Sequence, residues 1–171
     1  MPQLDFFANV NHILAANKNV TNGTLTFSPI NIQDSLSFNF FNILVRISSS
    51  ANQTHTISIG LYSLTGSTLS LTNSASRTIS SAGSGRLWLS LATSAASNIT
   101  PGTWFLGLLV STGGTNAFQL VGTSNNPGNN FPGVFIGGNY SASTSVLPAT
   151  INTSTVTISG DLFVPFIIIT A

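Results

Sequence analysis

The feature that most constrains the fold of this 171-residue chain is an alternation of apolar and polar residues with a period of two. The stretch from Thr24 to Ser28 alternates in this way, and so does the stretch from Ser35 to Phe40, which continues towards Ile47. Successive side chains of a β-strand point to opposite faces of the sheet, so this period predicts strands with one buried face.

Turn-forming residues separate the alternating stretches. The segment from Thr54 to Tyr62 alternates, Leu64 to Ser67 supplies a glycine-containing turn, and the pattern resumes at Thr68, which together predict a β-hairpin. A second turn is predicted at Asn98 to Gly102, where proline sets φ and glycine tolerates φ > 0. The strand that follows, from Gly102 to Val110, is apolar on both faces, which is typical of a central strand.

The number of such segments indicates the fold class. Eight to ten short strands at spacings of about ten residues predict an all-β chain with a single antiparallel β-sandwich or jelly-roll-like domain over residues 24–171. Residues 1–23 form an N-terminal arm or a short helix, and we favour the arm because no residue caps a helix there. Long loops are expected from Gly122 to Asn130 and around Gly137 to Asn139. The apolar segment Leu162 to Ile169 is expected to lie in mid-sheet or to pair with a neighbouring subunit.

Composition argues against nucleic-acid and membrane partners, whereas the absence of cysteine leaves the compartment undetermined. Charged residues make up 4% of the chain, whereas Ser, Thr and Asn together supply 64 of 171 residues. Four Lys and Arg residues cannot neutralise a run of phosphates, so no nucleic-acid partner is expected. No apolar stretch reaches the roughly 18 residues of a membrane span, so no membrane insertion is expected. The first residues lack the features of a signal peptide, which predicts synthesis in the cytoplasm.

The residues that usually perform catalysis are scarce. There is no cysteine and no glutamate, and the acidic residues are Asp5, Asp34 and Asp161, far apart in sequence. His12 and His55 match no zinc-ligand spacing and are expected to be hydrogen-bonded structural residues. Neither a nucleophile elbow nor a phosphate-binding loop is present. We therefore predict no catalytic residue, no cofactor-binding residue and no metal ligand, and we do not expect an enzyme.

Aromatic and amide side chains are the candidates for binding. Trp88 alternates against Leu87, Leu89 and Leu91 and should face away from the core, whereas Trp104 is expected to pack in it. The residues of a possible ligand or partner surface are Trp88, Tyr62, Tyr140, Asn125, Asn126 and Asn130.

Two further groups of residues are candidates for subunit contacts. Arg46 and Arg86 are expected to pair with Asp34, with Asp161 or with acidic groups of a partner. The residues of a possible subunit interface are Phe6, Phe7, Phe163, Phe166 and Ile168.

Several short motifs allow a comparison with a known class of proteins. They are His55-Thr56-Ile57-Ser58-Ile59-Gly60-Leu61-Tyr62, the turn and strand from Gly66 to Ser74, Ile99-Thr100-Pro101-Gly102-Thr103-Trp104, and the closing Val164-Pro165-Phe166-Ile167-Ile168-Ile169. With these motifs the chain resembles the β-rich domain of tail-fibre and other virion structural proteins of tailed bacteriophages. The resemblance covers roughly residues 24–110 and the C-terminal segment.

The resemblance implies a non-enzymatic virion component that forms a homotrimer or another homo-oligomer and contacts other virion proteins, such as the major capsid protein. Because the chain has no stalk of repeats or heptads, a capsid decoration (cement) or head-fibre subunit is favoured over a tail-fibre domain. The expected location is the virion surface. Two alternatives remain open: an adhesion module that binds host-surface glycans, and an extracellular filament subunit that polymerises with itself.

Overall fold

The computed structural model describes residues 16–112, 118–125, 138–141, 145–157 and 162–171. These residues are almost entirely β-strand, every strand pairing is antiparallel, and a single 3-10 turn at Thr153–Thr155 is the helical element among them. The prediction of an all-β antiparallel chain is confirmed. The strands are β1 (Ala16–Asn19), β2 (Thr24–Ile32), β3 (Leu36–Thr65), β4 (Thr68–Ile99), β5 (Gly102–Thr112), β6 (Phe118–Asn125), β7 (Gly138–Ser141), β8 (Thr150–Asn152), β9 (Leu162–Pro165) and β10 (Ile167–Thr170).

The ten strands belong to one curled sheet. Its main path runs in the order β1-β6-β3-β5-β2-β7, while β4 and β10 pair with β3, β8 pairs with β4, and β9 pairs with β6. Strand β5 lies between β3 and β2, which confirms the prediction of a central strand. Strands β9 and β10 both pair within the chain, so the closing apolar segment lies in the sheet of its own subunit.

Strands β3 and β4 form one long hairpin. Strands β10 and β6 pair with the earlier part of β3, and β5 pairs with its later part. The turn of the hairpin lies at Gly66 and Ser67, and Gly66 has a φ of 60°, a left-handed conformation that favours glycine. Register shifts interrupt the pairing, one of them between Ser49 and Gln53. We call residues 36–49 with 83–99 the first half of the hairpin, and residues 53–65 with 68–81 the second half.

The lengths of these two strands differ from the prediction of short strands. Strand β3 has 30 residues and β4 has 32. Residues 48–52 contain neither proline nor glycine, so the backbone continues through a bulge instead of ending the strand.

Two hydrophobic clusters lie on opposite faces of the second half of the hairpin. The larger cluster joins the two halves, with Ile43 and Val45 from the first and Ile57 and Ile59 from the second. The smaller cluster is covered by residues 145–157, which contribute Leu147, Ile151 and Val156. Strand β5 supplies residues to both clusters, and this explains why its sequence is apolar on both faces.

Some predictions fall at the borders of the described residues. The predicted N-terminal arm covers residues 1–23. Residues 1–15 lie outside the described residues, and residues 16–19 form β1. The predicted loop from Gly122 begins too early, because β6 continues to Asn125 and pairs with β1 and β9. Residues 126–137 lie outside the described part of the chain.

Candidate functional site

The acidic and metal-binding side chains of the described residues do not form a site. No group of three His, Cys, Asp or Glu residues occurs within residues 16–112, 118–125, 138–141, 145–157 and 162–171. Asp34 is exposed in the turn before β3, and Asp5 and Asp161 lie outside the described residues. One surface among the described residues instead exposes large hydrophobic side chains.

That surface is the side of the first half of the hairpin that points away from the core. Phe41, Ile43 and Val45 of β3 are completely buried, so the even-numbered residues between them point to the opposite side of the sheet. The strand register places these residues in rows with those of β4 and β10. The rows of this outer face are Phe40 with Ala92 and Thr170, Asn42 with Ser90 and Ile168, Leu44 with Trp88, and Arg46 with Arg86 and Gln119.

Large hydrophobic side chains are exposed on the outer face. Trp88 is 49% exposed and Phe40 is 37% exposed, while Ile168 is half-buried between them. Within the described part of the chain, Val146 is the one other exposed large hydrophobic residue, and it lines a surface cavity together with Ala92 and Ser94 of β4. The prediction that Trp88 faces away from the core is confirmed, and the subunit-interface candidate Ile168 lies on the same face.

Two arginines lie at one end of the outer face. Arg46 and Arg86 are direct cross-strand partners, and both are exposed. Arg46 donates a hydrogen bond from Nη1 to Oε1 of Gln119 (3.4 Å), and Gln119 in turn donates from Nε2 to Oδ1 of Asn19 (2.7 Å). Neither arginine forms an ion pair with a residue that the structure describes. The expected pair with Asp34 is therefore absent, and a pair with Asp161 lies outside the described residues.

Tyr62 does not belong to an exposed surface, and its assignment to a ligand platform is wrong. Its side chain is completely buried, and its hydroxyl donates a hydrogen bond to the carbonyl of Pro148 (3.0 Å). Desolvation in this position raises the pKa of the phenol. The reason lies in the tertiary structure, because residues 145–157 cover the face of β3 from which Tyr62 projects.

The other candidate residues are distributed as follows. Tyr140 is half-buried in β7 and packs against the smaller cluster. Asn125 ends β6, and its side chain lies outside the described part, as do Asn126 and Asn130. Phe166 is half-buried between β9 and β10, and its backbone bonds to Leu44 and Val121.

The side chains of the remaining interface candidates lie outside the described part of the chain. The backbone of Phe163 belongs to β9, but its side chain lies outside the described part, as do Phe6 and Phe7.

Trp104, which is expected in the core, is half-buried and packs against the larger cluster. It donates a hydrogen bond from Nε1 to the carbonyl of Thr100 (3.0 Å).

His55 is a buried residue of the sheet. Its ring lies against that of Phe118, with 5.3 Å between the ring centroids, and its side chain is completely buried. Burial lowers its pKa below the ordinary value of 6.5, because the charged imidazolium is poorly solvated there. Its place in the core fits a structural role.

This lowered pKa gives a testable dependence of stability on pH. The unfolded chain binds a proton at His55 more readily than the folded chain, so the free energy of unfolding should be constant above pH 6.5 and fall as the pH drops below that value. Urea denaturation at a series of pH values between 8 and about 5 measures this. The variant His55→Gln should show a smaller fall, and an identical fall in both proteins would contradict the assignment.

The sequence analysis did not single out Phe40 and Leu44 as surface residues. The signal was present, because Phe40 and Phe41 are adjacent and cannot both point to the core of a regular strand. The bulge between Phe38 and Phe40 buries Phe38 and Phe41 and turns Phe40 outward.

Among the described residues, no helix has the length and hydropathy needed to cross a membrane. Comparison of the chain with protein-family models and with curated proteins finds no match, so the outer face has to be interpreted from its own residues.

Proposed function

We propose that this chain is a non-enzymatic structural protein of a virion surface, most simply a capsid decoration (cement) or head-fibre subunit and otherwise a tail-fibre domain. The observation that carries the proposal is the exposure of Phe40, next to the row that holds the half-buried Ile168, at the apolar end of the outer face. Exposed apolar patches of this kind mark contact surfaces. The resemblance of the motifs around Tyr62, Gly66 and Pro101 to phage virion proteins supports the virion setting.

The proposal includes the arrangement of the sheet and its partners. We interpret the curled sheet, with its larger cluster enclosed between the two halves of the hairpin, as a jelly-roll-like sandwich. The outer face would contact a second copy of the chain in a homotrimer or another homo-oligomer, or a further virion protein such as the major capsid protein. The low charge of the chain supports contacts that depend little on salt.

Self-assembly can be tested at the apolar end of the outer face. In the double variant Phe40→Ser, Ile168→Ser, the mass in solution is expected to fall towards the 17.8 kDa of one chain, because the apolar contact between copies is lost. Light scattering coupled to size-exclusion chromatography measures the mass, and circular dichroism verifies that the variant is folded. The matched control is Leu64→Ser, which removes a half-buried apolar residue in the second half of the hairpin, away from this face. An unchanged mass in the double variant would refute self-association through this face.

The virion assignment is tested by electron cryomicroscopy of the native particle or assembly that contains the chain. Hundreds of copies on a shell support a decoration role, and a few copies at a tail or spike tip support a tail-fibre role. An open helical polymer without a virion would overturn the proposal in favour of the filament subunit. The pairing of β10 with β3 of the same chain speaks against its use in a neighbour's sheet.

A second candidate function has a specific observation in its favour. Trp88 is half-exposed beside two arginines without an ion pair among the described residues. Exposed indole faces stack on sugar rings, so an adhesion module that binds host-surface glycans remains the alternative. The two functions are compatible, because a decoration protein on the outside of a particle can also bind glycans.

A further inference from the structure

We propose that Trp88, Arg46 and Arg86 form a binding site for a saccharide that carries a carboxylate, such as a uronic acid or a sialic acid. The inference goes beyond assembly, does not depend on it, and gives a ligand class to the adhesion module named above. In this proposal the end of the outer face at Arg46 and Arg86 binds the ligand, and the end at Phe40 contacts protein.

The first argument is the spacing of the three side chains. Trp88 and Arg86 lie two residues apart on β4 and point to the same side, which separates their Cα atoms by about 6.6 Å. Arg46 is directly opposite Arg86, at a neighbouring-strand distance of about 5 Å. A sugar ring stacked on the indole of Trp88 therefore has its substituents within reach of both guanidinium groups.

The second argument is the charge of the arginine row. Like charges that face each other across a pair of strands are destabilising. Arg46 and Arg86 nevertheless have no ion pair with any residue in the described part of the chain. An anion between them would remove this repulsion, and a guanidinium pairs well with a carboxylate because it can donate two parallel hydrogen bonds.

The third argument is that one arginine is already oriented. Gln119 accepts a hydrogen bond from Arg46 and donates one to Asn19, so this series of side chains connects β3, β6 and β1. A side chain held in this way loses less freedom when a ligand binds. The guanidinium still has further N–H donors for a ligand.

The fourth argument concerns the class of ligand. The next row of the face presents Asn42 and Ser90, which are neutral groups suited to sugar hydroxyls. The chain has only four Lys and Arg residues, so it cannot follow the phosphates of a nucleic acid. An acidic segment of a protein could satisfy the arginines, but it would not need the exposed indole face of Trp88.

The experiment uses the purified full chain in its native oligomeric state, titrated by calorimetry. The probes are trigalacturonate and 3′-sialyllactose, and their neutral counterparts with the same rings are the trigalacturonate trimethyl ester and the methyl ester of 3′-sialyllactose. We expect binding of at least one acidic probe, about tenfold or more weaker binding of its neutral counterpart, and weaker binding as salt increases. Trp88→Ala and Arg86→Gln should each weaken binding of the acidic probe about tenfold or more.

The matched control is Lys18→Gln. Lys18 pairs with the buried Leu120 and therefore points to the opposite side of the sheet from Arg46 and Gln119. This variant should leave binding unchanged. No binding of either acidic probe, equal binding of the acidic and neutral probes, or equal losses in Lys18→Gln and Arg86→Gln would each overturn the proposal. Light scattering on the same samples separates the two roles. If Trp88→Ala loses saccharide binding while its mass in solution is unchanged, the ligand site is supported. If its mass falls and the wild-type protein binds no saccharide, Trp88 belongs to the contact between copies and the ligand site is overturned.

Discussion

Replacement of Tyr62 by alanine is expected to lower the free energy of unfolding by about 3–5 kcal/mol, the range found for buried aromatic residues. The side chain is completely buried, and its ring meets the edge of Phe27 with 5.2 Å between the centroids and 83° between the planes. The substitution removes the centre of the smaller cluster and leaves a cavity beneath residues 145–157. Urea denaturation monitored by circular dichroism measures the change.

The variant Tyr62→Phe separates packing from hydrogen bonding. It keeps the ring but leaves the carbonyl of Pro148 without its donor, so the cost should be about 1 kcal/mol. If Tyr62 belonged to an exposed ligand surface, both substitutions would change the free energy of unfolding by less than about 0.5 kcal/mol. Such a result would contradict the packing of residues 145–157 over this face.

Much of the strand content could be predicted from local sequence. The alternation before Tyr62, the glycine at Gly66 and the apolar pattern of β5 each have a direct physical meaning, and the structure confirms the hairpin, its turn and the central strand. The turn depends on residues close in sequence, and the apolar pattern of β5 indicates burial on both faces whichever strands lie next to it. Trp88 was identified in the same way, because it alternates against buried leucines of its own strand.

The features that the sequence did not reveal depend on contacts between distant residues. Tyr62 has the same alternation whether its face is exposed or covered, and only the packing of residues 145–157 decides between the two. The opposition of Arg46 and Arg86 depends on the register between strands that are 40 residues apart. Phe40 points outward because a bulge changes the phase of β3, and the adjacent pair Phe40 and Phe41 was a signal of that change.

The second large effect concerns the glycines beneath Tyr62. Gly107 of β5 pairs with Gly60 of β3, and a Cβ atom at Gly107 would lie 2.7 Å from Cε2 of Tyr62 and 3.0 Å from Cε1 of Phe27. Two rigid rings cannot yield to a branched side chain without disturbing the whole cluster. Gly107→Val should therefore lower the free energy of unfolding by about 3 kcal/mol. The control Ala96→Val, which enlarges an exposed residue of β4, should change it by less than about 0.5 kcal/mol.

The two substitutions should not be additive, because they act on the same space. In the Tyr62→Ala background the ring that opposes a Cβ atom at Gly107 is gone, and the valine would fill part of the cavity. The cost of Gly107→Val should then fall well below its value in the wild-type protein, with a coupling of about 1–3 kcal/mol in the double-mutant cycle. Equal costs in the two backgrounds would mean that the glycine pair is required by the backbone and not by the ring of Tyr62. A strong coupling would establish that the ring of Tyr62 is what excludes larger side chains at Gly60 and Gly107.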